Sequence, residues 1–215
     1  GRARFATDGG TEERFWVNVL SAGIGGLVDI YSAAAPSWLG GRIAYGAAAL
    51  SGIVTCPRVT LRCRSVLPDG SPDERFLHAH AVAVCNGHTF GGGMSIAPMA
   101  RCDDGLLEVV SFETNTKLQL IRRFGTVYRG THVLEPGVNH FTCRALELTP
   151  VAVEGRPLAT SQEPTQAADS RLDTPGRPRR RSLKHGLFPL DVDGDARGDV
   201  PVRIDVLPGA LLMLT

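Results

Sequence analysis

No stretch of this chain approaches the roughly 20 consecutive apolar residues that a bilayer-spanning helix needs. Its first ten residues, GRARFATDGG, lack the apolar core of a secretory signal. A cytoplasmic protein is expected, with any membrane contact confined to its periphery. An excess of one charge is also missing: 23 Lys and Arg stand against 22 Asp and Glu, a net charge of +1. No global field selects a partner, and no nucleic-acid partner is expected. The five cysteines, Cys56, Cys63, Cys85, Cys102 and Cys143, form no C-x-x-C pair. The zinc-knuckle pattern is therefore absent, and an odd count of spaced thiols fits reduced core residues better than a disulfide framework.

What is present suits one well-filled domain over residues 1–215, with 43% hydrophobic residues. Period-two alternation marks strands with one buried face. RVTLRCRSV (58–66) turns Val59, Leu61 and Cys63 to one side, and PVRIDVL (201–207) turns Val202, Ile204 and Val206 inward. FLHAHAVAV (76–84) reads as a further strand leading into Asn86-Gly87, a dipeptide that favours a hairpin. Pro68-Asp69-Gly70 is a second turn.

Helical spacing is clearest in TKLQLIRRFGTVYRG (116–130), where Leu118, Ile121, Phe124 and Tyr128 share a face, Thr114 or Thr116 serves as N-cap and Gly130 as stop. The Ala-rich stretch 27–50, interrupted by Pro36 and Gly40-Gly41, predicts one or two short helices. Strands outnumber helices without regular βαβ alternation, so a mainly antiparallel β domain is expected. From Glu154 the composition turns to Pro, Gln, Ser and Arg, which predicts a disordered insertion over 155–185. Its RPRRRSLK core suits anionic head groups or nucleic acid, with a solvated charge run as the default.

Three stretches bear on chemistry. NVLSAGIGGLVD (18–29) lacks the third glycine of the dinucleotide fingerprint and the Lys-Ser/Thr of a P-loop. Glycines that let a strand leave the sheet in close packing are the preferred reading. Asp103-Asp104-Gly105 forms a turn before LLEVVSF; such a turn is either plain or a holder of a hard cation through one carboxylate and main-chain oxygens. LDVDGDARGD (190–199) starts like a calcium loop, yet Ala196 and Val202 stand where an EF-hand counted from Asp191 needs glycine and glutamate. A strand end and a turn at Gly194 remain. A calcium-binding or adhesion protein, read from these aspartates or from Arg197-Gly198-Asp199, is set aside.

Taken in order, FWVNVLSAGIGG, GGRIAY, VCNGHTFGGGMSIAPMARCDDGLLEVV and DVDGDARGDVPVRIDVLPGALLML resemble the C-terminal half of the diacylglycerol kinase and sphingosine kinase family, in its bacterial YegS-like branch. The resemblance implies an antiparallel β-sandwich with a few short helices, the second of two domains. The family's ATP-site segments GGDGT and GTGN are not found here, so the resemblance implies that the N-terminal ATP-binding domain is absent and that the chain is inactive alone. It implies Mg²⁺, both structural and ATP-bound, with the structural ion held by the Asp104 carboxylate and main-chain oxygens of Arg101 and Leu106. It implies ATP as co-substrate once an N-terminal domain, possible as a separate partner, is supplied, and a lipid substrate such as diacylglycerol. The family's catalytic base is the glutamate of D-G-E; the matching residue is Asp195, in Asp193-Gly194-Asp195, shorter by one methylene. The alternative is a non-catalytic lipid-binding or regulatory module derived from such a kinase.

Overall fold

In the computed structural model, residues 1–7, 10–35, 41–158 and 187–210 are described, with backbone only at 41–43 and 124. The elements follow in the order β1 (Arg2–Thr7), β2 (Gly10–Phe15), β3 (Val19–Gly23), α1 (Ile24–Ala33), α2 (Gly41–Thr55), β4 (Val59–Val66), β5 (Pro72–Ala79) and β6 (Ala81–Cys85). Then come β7 (Leu107–Phe112), α3 (Lys117–Val127), a 3-10 turn (Thr131–Leu134), β8 (Val138–Cys143), β9 (Ala145–Val153), β10 (Arg156–Pro157), β11 (Pro189–Val192) and β12 (Asp195–Asp205). Every named strand pair is antiparallel. The mainly β expectation holds.

Strand order runs β5-β4-β9-β12-β11-β3-β6-β7-β8, with β1 joining β12 to β2. The long β12 links two halves because it changes partners: Asp195–Asp199 pairs with β11, while Val202–Asp205 pairs with β9 and, on its other edge, β1. The inward faces of the two halves meet in one core that includes Phe5, Leu20, Leu61, Leu107, Leu148 and Phe188. Alternation places Val59, Leu61 and Cys63 of β4, and Val202 and Ile204 of β12, in that core as expected.

The central strands β3, β6 and β7 are buried on both faces, which is why Ala81–Cys85 is apolar without alternation. Their second face, with Val19, Ala83, Cys85, Val110 and Phe112, packs under α3, α2 and the segment around Met94 to Ala100.

Five sequence expectations are corrected. FLHAHAVAV is two strands, because β5 pairs with β4 in one half while β6 pairs with β3 and β7 in the other. His80 makes the corner: its N–H donates to Phe112 and its carbonyl accepts from the Ile24 N–H and the Cys56 thiol. Asn86-Gly87 is not a hairpin turn; both N–H groups donate to the Asn18 carbonyl, and the chain runs on to β7 through Phe90–Met94 and the DDG turn. In α3, Thr116 is the N-cap of a capping box as allowed, yet Leu118, Ile121 and Tyr128 face outward while Leu120 and Val127 are buried. Cys102 is exposed, whereas burial pushes the Cys56, Cys63 and Cys143 thiols up to about 12 and Cys85 likewise upward. The segment from Glu154 does not begin as an unstructured insertion: Arg156 and Pro157 pair back onto β9. RPRRRSLK lies outside the described residues.

Candidate functional site

Adjacent pairing of β3 and β11 sets Ser21 opposite Asp191, both buried on the side of the sheet that faces α1. The Ser21 hydroxyl donates to Asp191 Oδ2 at 3.2 Å and the Gly194 N–H donates to Asp191 Oδ1 at 2.7 Å. The glycines of the 23–26 stretch let α1 close down here, as read from the sequence. Gly23 has φ +89, where its missing side chain clears the Phe188 ring, and a Cβ on Gly25 would collide with the Ser21 hydroxyl. One turn along α1, Asp29 hydrogen-bonds Asp191.

Burial, then the charge of Asp191 and the hydrogen bond to it, push the Asp29 carboxyl up to about 8. Burial also raises Asp191, opposed by the donors from Gly194, Asp29 and Ser21. Burial raises both carboxyls, which favours one proton held between the two, and Asp29 Oδ2 is buried without a hydrogen-bond partner.

Beside this pair lies a cavity of about 310 Å³. Its walls are mostly apolar: Val19 and Ala83 from the sheet, Ile53 from α2, Leu120 from α3, and Phe90 and Met94 from the β6–β7 connection. Asp29, Asp191, Asp193 and Tyr45 supply a polar end, Arg123 of α3 adds a guanidinium to the lining, and burial near these acids pushes the Tyr45 phenol up to about 12. A small set of polar groups in a mostly apolar cavity suits an amphipathic ligand whose polar group is read by hydrogen bonds.

The residues singled out from sequence fall in two separate places. Asp195 opens β12 just beyond the Asp193-Gly194 turn, where both turn residues take positive φ. Its side chain is 72% exposed, accepts from Arg197 at 3.2 Å, and is not among the cavity walls. Asp104 lies in the turn before β7, where Gly105 sits against Pro208, beyond the other end of β12. Asp104 Oδ1 accepts from the Leu106 N–H at 2.9 Å, and Asp103 pairs with Arg101 at 3.2 Å.

The main-chain oxygens of Arg101 and Leu106 accept none of the backbone hydrogen bonds formed outside helices and strands. A carboxylate and main-chain carbonyl oxygens are hard donors, so the residues present fit a largely hydrated magnesium ion. Among the described residues no cluster of three or more acidic, His or Cys side chains forms a metal cage.

Residues 18–171 match the family model described as the YegS C-terminal NAD kinase beta sandwich-like domain. The chain belongs to this family of YegS-like lipid-kinase C-terminal domains. Two curated relatives, the diacylglycerol kinases of Mycobacterium tuberculosis strains CDC 1551 / Oshkosh and ATCC 25618 / H37Rv, are each 26% identical over 211 residues. The alignment covers 98% of this chain and 55% of the relatives, so the chain spans about half their length. Among solved structures, a Bacillus anthracis str. Sterne protein provisionally named a diacylglycerol kinase superposes with TM-score 0.51 at 18% identity, over 97% of this chain and 53% of that one. A second structure under that provisional name, also from strain Sterne, gives 0.50 at 19%. These two share the fold.

The family resemblance directs attention to Asp195 and to the DDG turn but not to the Asp29–Asp191 pair. Both acids stand inside quoted motif stretches, and a signal was available. Asp29 follows the apolar run Leu27-Val28 on a helix with no other charge, and Asp191 interrupts a strand that is otherwise Pro, Leu and Val. A carboxylate in such a setting is either paired or functional.

Proposed function

We propose that this chain is the lipid-binding part of an ATP-dependent lipid kinase that phosphorylates a lipid hydroxyl such as that of diacylglycerol. The observation that carries the reading is the mostly apolar cavity closed at one end by the carboxyl pair of Asp29 and Asp191. An acyl chain fills the apolar walls, and the acid pair exchanges hydrogen bonds with the glycerol end. Asp195, at the rim beyond Gly194, takes the proton of the lipid hydroxyl as that oxygen attacks the γ-phosphorus of ATP and the bond to ADP breaks. Asp104, with the carbonyls of Arg101 and Leu106, holds the structural magnesium, which neutralises the turn's charge. The nucleotide-binding part is a separate portion of polypeptide, in keeping with curated relatives about twice as long.

Two measurements test the proposal. Titration with a short-chain diacylglycerol should saturate the chain, and Ile53→Trp, which fills the cavity, should weaken binding by at least about tenfold, or 1.4 kcal/mol. Equal binding by the filled variant sinks the reading. The chain alone should release no phosphorylated lipid from ATP; turnover by the isolated chain contradicts the assigned division of labour.

The second reading, a non-catalytic lipid-binding module, is favoured by the exposure of Asp195 and its pairing with Arg197. An assay with a nucleotide-binding half added separates the two. A kinase loses activity on Asp195→Asn and keeps or gains it on Asp195→Glu, whereas a binding module shows none in any form.

A further inference from the structure

The outward faces of α2 and α3 lie side by side. Lys117, at the start of α3, donates to the carbonyls of Val54 and Cys56 at the end of α2, and Tyr45 near the start of α2 senses Tyr128 just past the end of α3. The helices are therefore antiparallel. Their inner residues, Ala49 and Ile53 with Leu120 and Val127, line the cavity. Their outer residues include Leu50 at 51% exposure, Val54 at 57%, Leu118 at 55% and Ile121 at 39%. Neighbours on the exposed side of α2 are Gly46, Ala47 and Ser51, so among the described side chains that face carries no charge.

Among the described side chains, charge enters at the α3 side and with one sign. From Thr114 to Leu134 the chain has Lys117, Arg122, Arg123 and Arg129 and no acid. Arg123 is committed to Glu135 at 2.8 Å, whereas Arg122 and Arg129 are exposed and make no ion pair among the described residues. A helix with an outward aliphatic row beside unpaired arginines, in a chain of nearly balanced charge, matches the pattern of an interfacial surface helix.

We infer that the outer face of α2 and α3 docks on an anionic lipid bilayer, with Leu50, Val54, Leu118 and Ile121 entering the interface and Arg122 and Arg129 meeting head groups. This deepens the proposed function, on which it rests for its purpose: the same two helices that wall the cavity are laid on the membrane from which its ligand comes.

The test is co-sedimentation of the chain with vesicles of phosphatidylglycerol and phosphatidylcholine in equal parts, and of phosphatidylcholine alone, all without diacylglycerol. Binding then does not depend on the cavity being a lipid site, and the two readings fail separately. Binding to the anionic vesicles is expected, decreasing as salt is raised. Arg122→Gln with Arg129→Gln should weaken it by roughly 25-fold, about fivefold per basic residue. Leu118→Gln with Ile121→Gln should weaken it by at least about tenfold with the salt dependence retained. All four side chains are exposed, so thermal unfolding checks that the fold is unchanged.

Failure to bind anionic vesicles, or binding that ignores both double variants, overturns the inference. So does a dimer in sedimentation equilibrium that the Leu118 and Ile121 substitutions dissociate, since a second copy then covers the face.

Discussion

Burial beside Asp191 pushes the Asp29 carboxyl up to about 8, against an ordinary carboxylate value of 3.8. Between those values the native state binds the proton that the unfolded state releases, so stability decreases as pH rises through this window and levels off above it. Asp29→Asn keeps a donor toward Asp191 without a titrating proton. Its melting temperature should exceed that of the parent at pH 8 and approach it at pH 4, with a gain of roughly 1–2 kcal/mol after allowing for partial exposure. A parallel pair of pH profiles would refute the shared proton.

Asp193 has a different task from either neighbour in the Asp-Gly-Asp run. Its carboxylate accepts the N–H groups of Val17, Asn18 and Val19 at 2.7, 2.9 and 3.0 Å and so ties the β2–β3 link to the β11–β12 turn. Asp193→Ala should cost about 2 kcal/mol in urea unfolding, because it removes charge-assisted bonds and a residue that tolerates positive φ. Asp193→Asn should recover part of the loss.

At the scale of elements, what could be read from sequence depended on how many faces an element buries. The strands β4 and β12 bury one face, and their period-two pattern named the correct inward residues. In β6 and β7 both faces are buried and the alternation vanishes, so the boundary at His80 was invisible. For α3 the periodicity was right, but it did not say which apolar row meets the sheet. Leu118, Ile121 and Tyr128 form an apolar row, but so do Leu120 and Val127, and only the second row meets the sheet. A helix with two apolar rows has no unique inward face until a partner for each is known. The capping box was legible because it is local: Thr116 accepts from the Gln119 N–H while the Gln119 side chain accepts from the Thr116 N–H. Thr116→Ala should destabilise the chain by about 1 kcal/mol, seen as a lower urea midpoint at unchanged slope.

At the scale of the molecule, β3, β6 and β7 serve two compartments at once, since alternate residues point into the sandwich core and into the layer that holds the cavity. Val84 belongs to the core and Ala83 to the cavity wall, although they are adjacent in one strand. The sequence shows both as small apolar residues of a buried strand and cannot separate these roles, which the placement of α2 and α3 decides. The roles predict opposite outcomes for opposite changes. Val84→Ala leaves a hole in a packed core and should lower unfolding free energy by about 2 kcal/mol while lipid affinity holds. Ala83→Leu places its added bulk in space that already exists. It should cost less than about 1 kcal/mol of stability, because the cavity accommodates the side chain without forcing its neighbours apart. Lipid binding by that variant should weaken by at least about tenfold, or 1.4 kcal/mol. Urea unfolding and lipid titration on the two variants measure this double dissociation directly. If both substitutions move both quantities together, the strand does not separate core from site, and the cavity is only a packing defect of the fold.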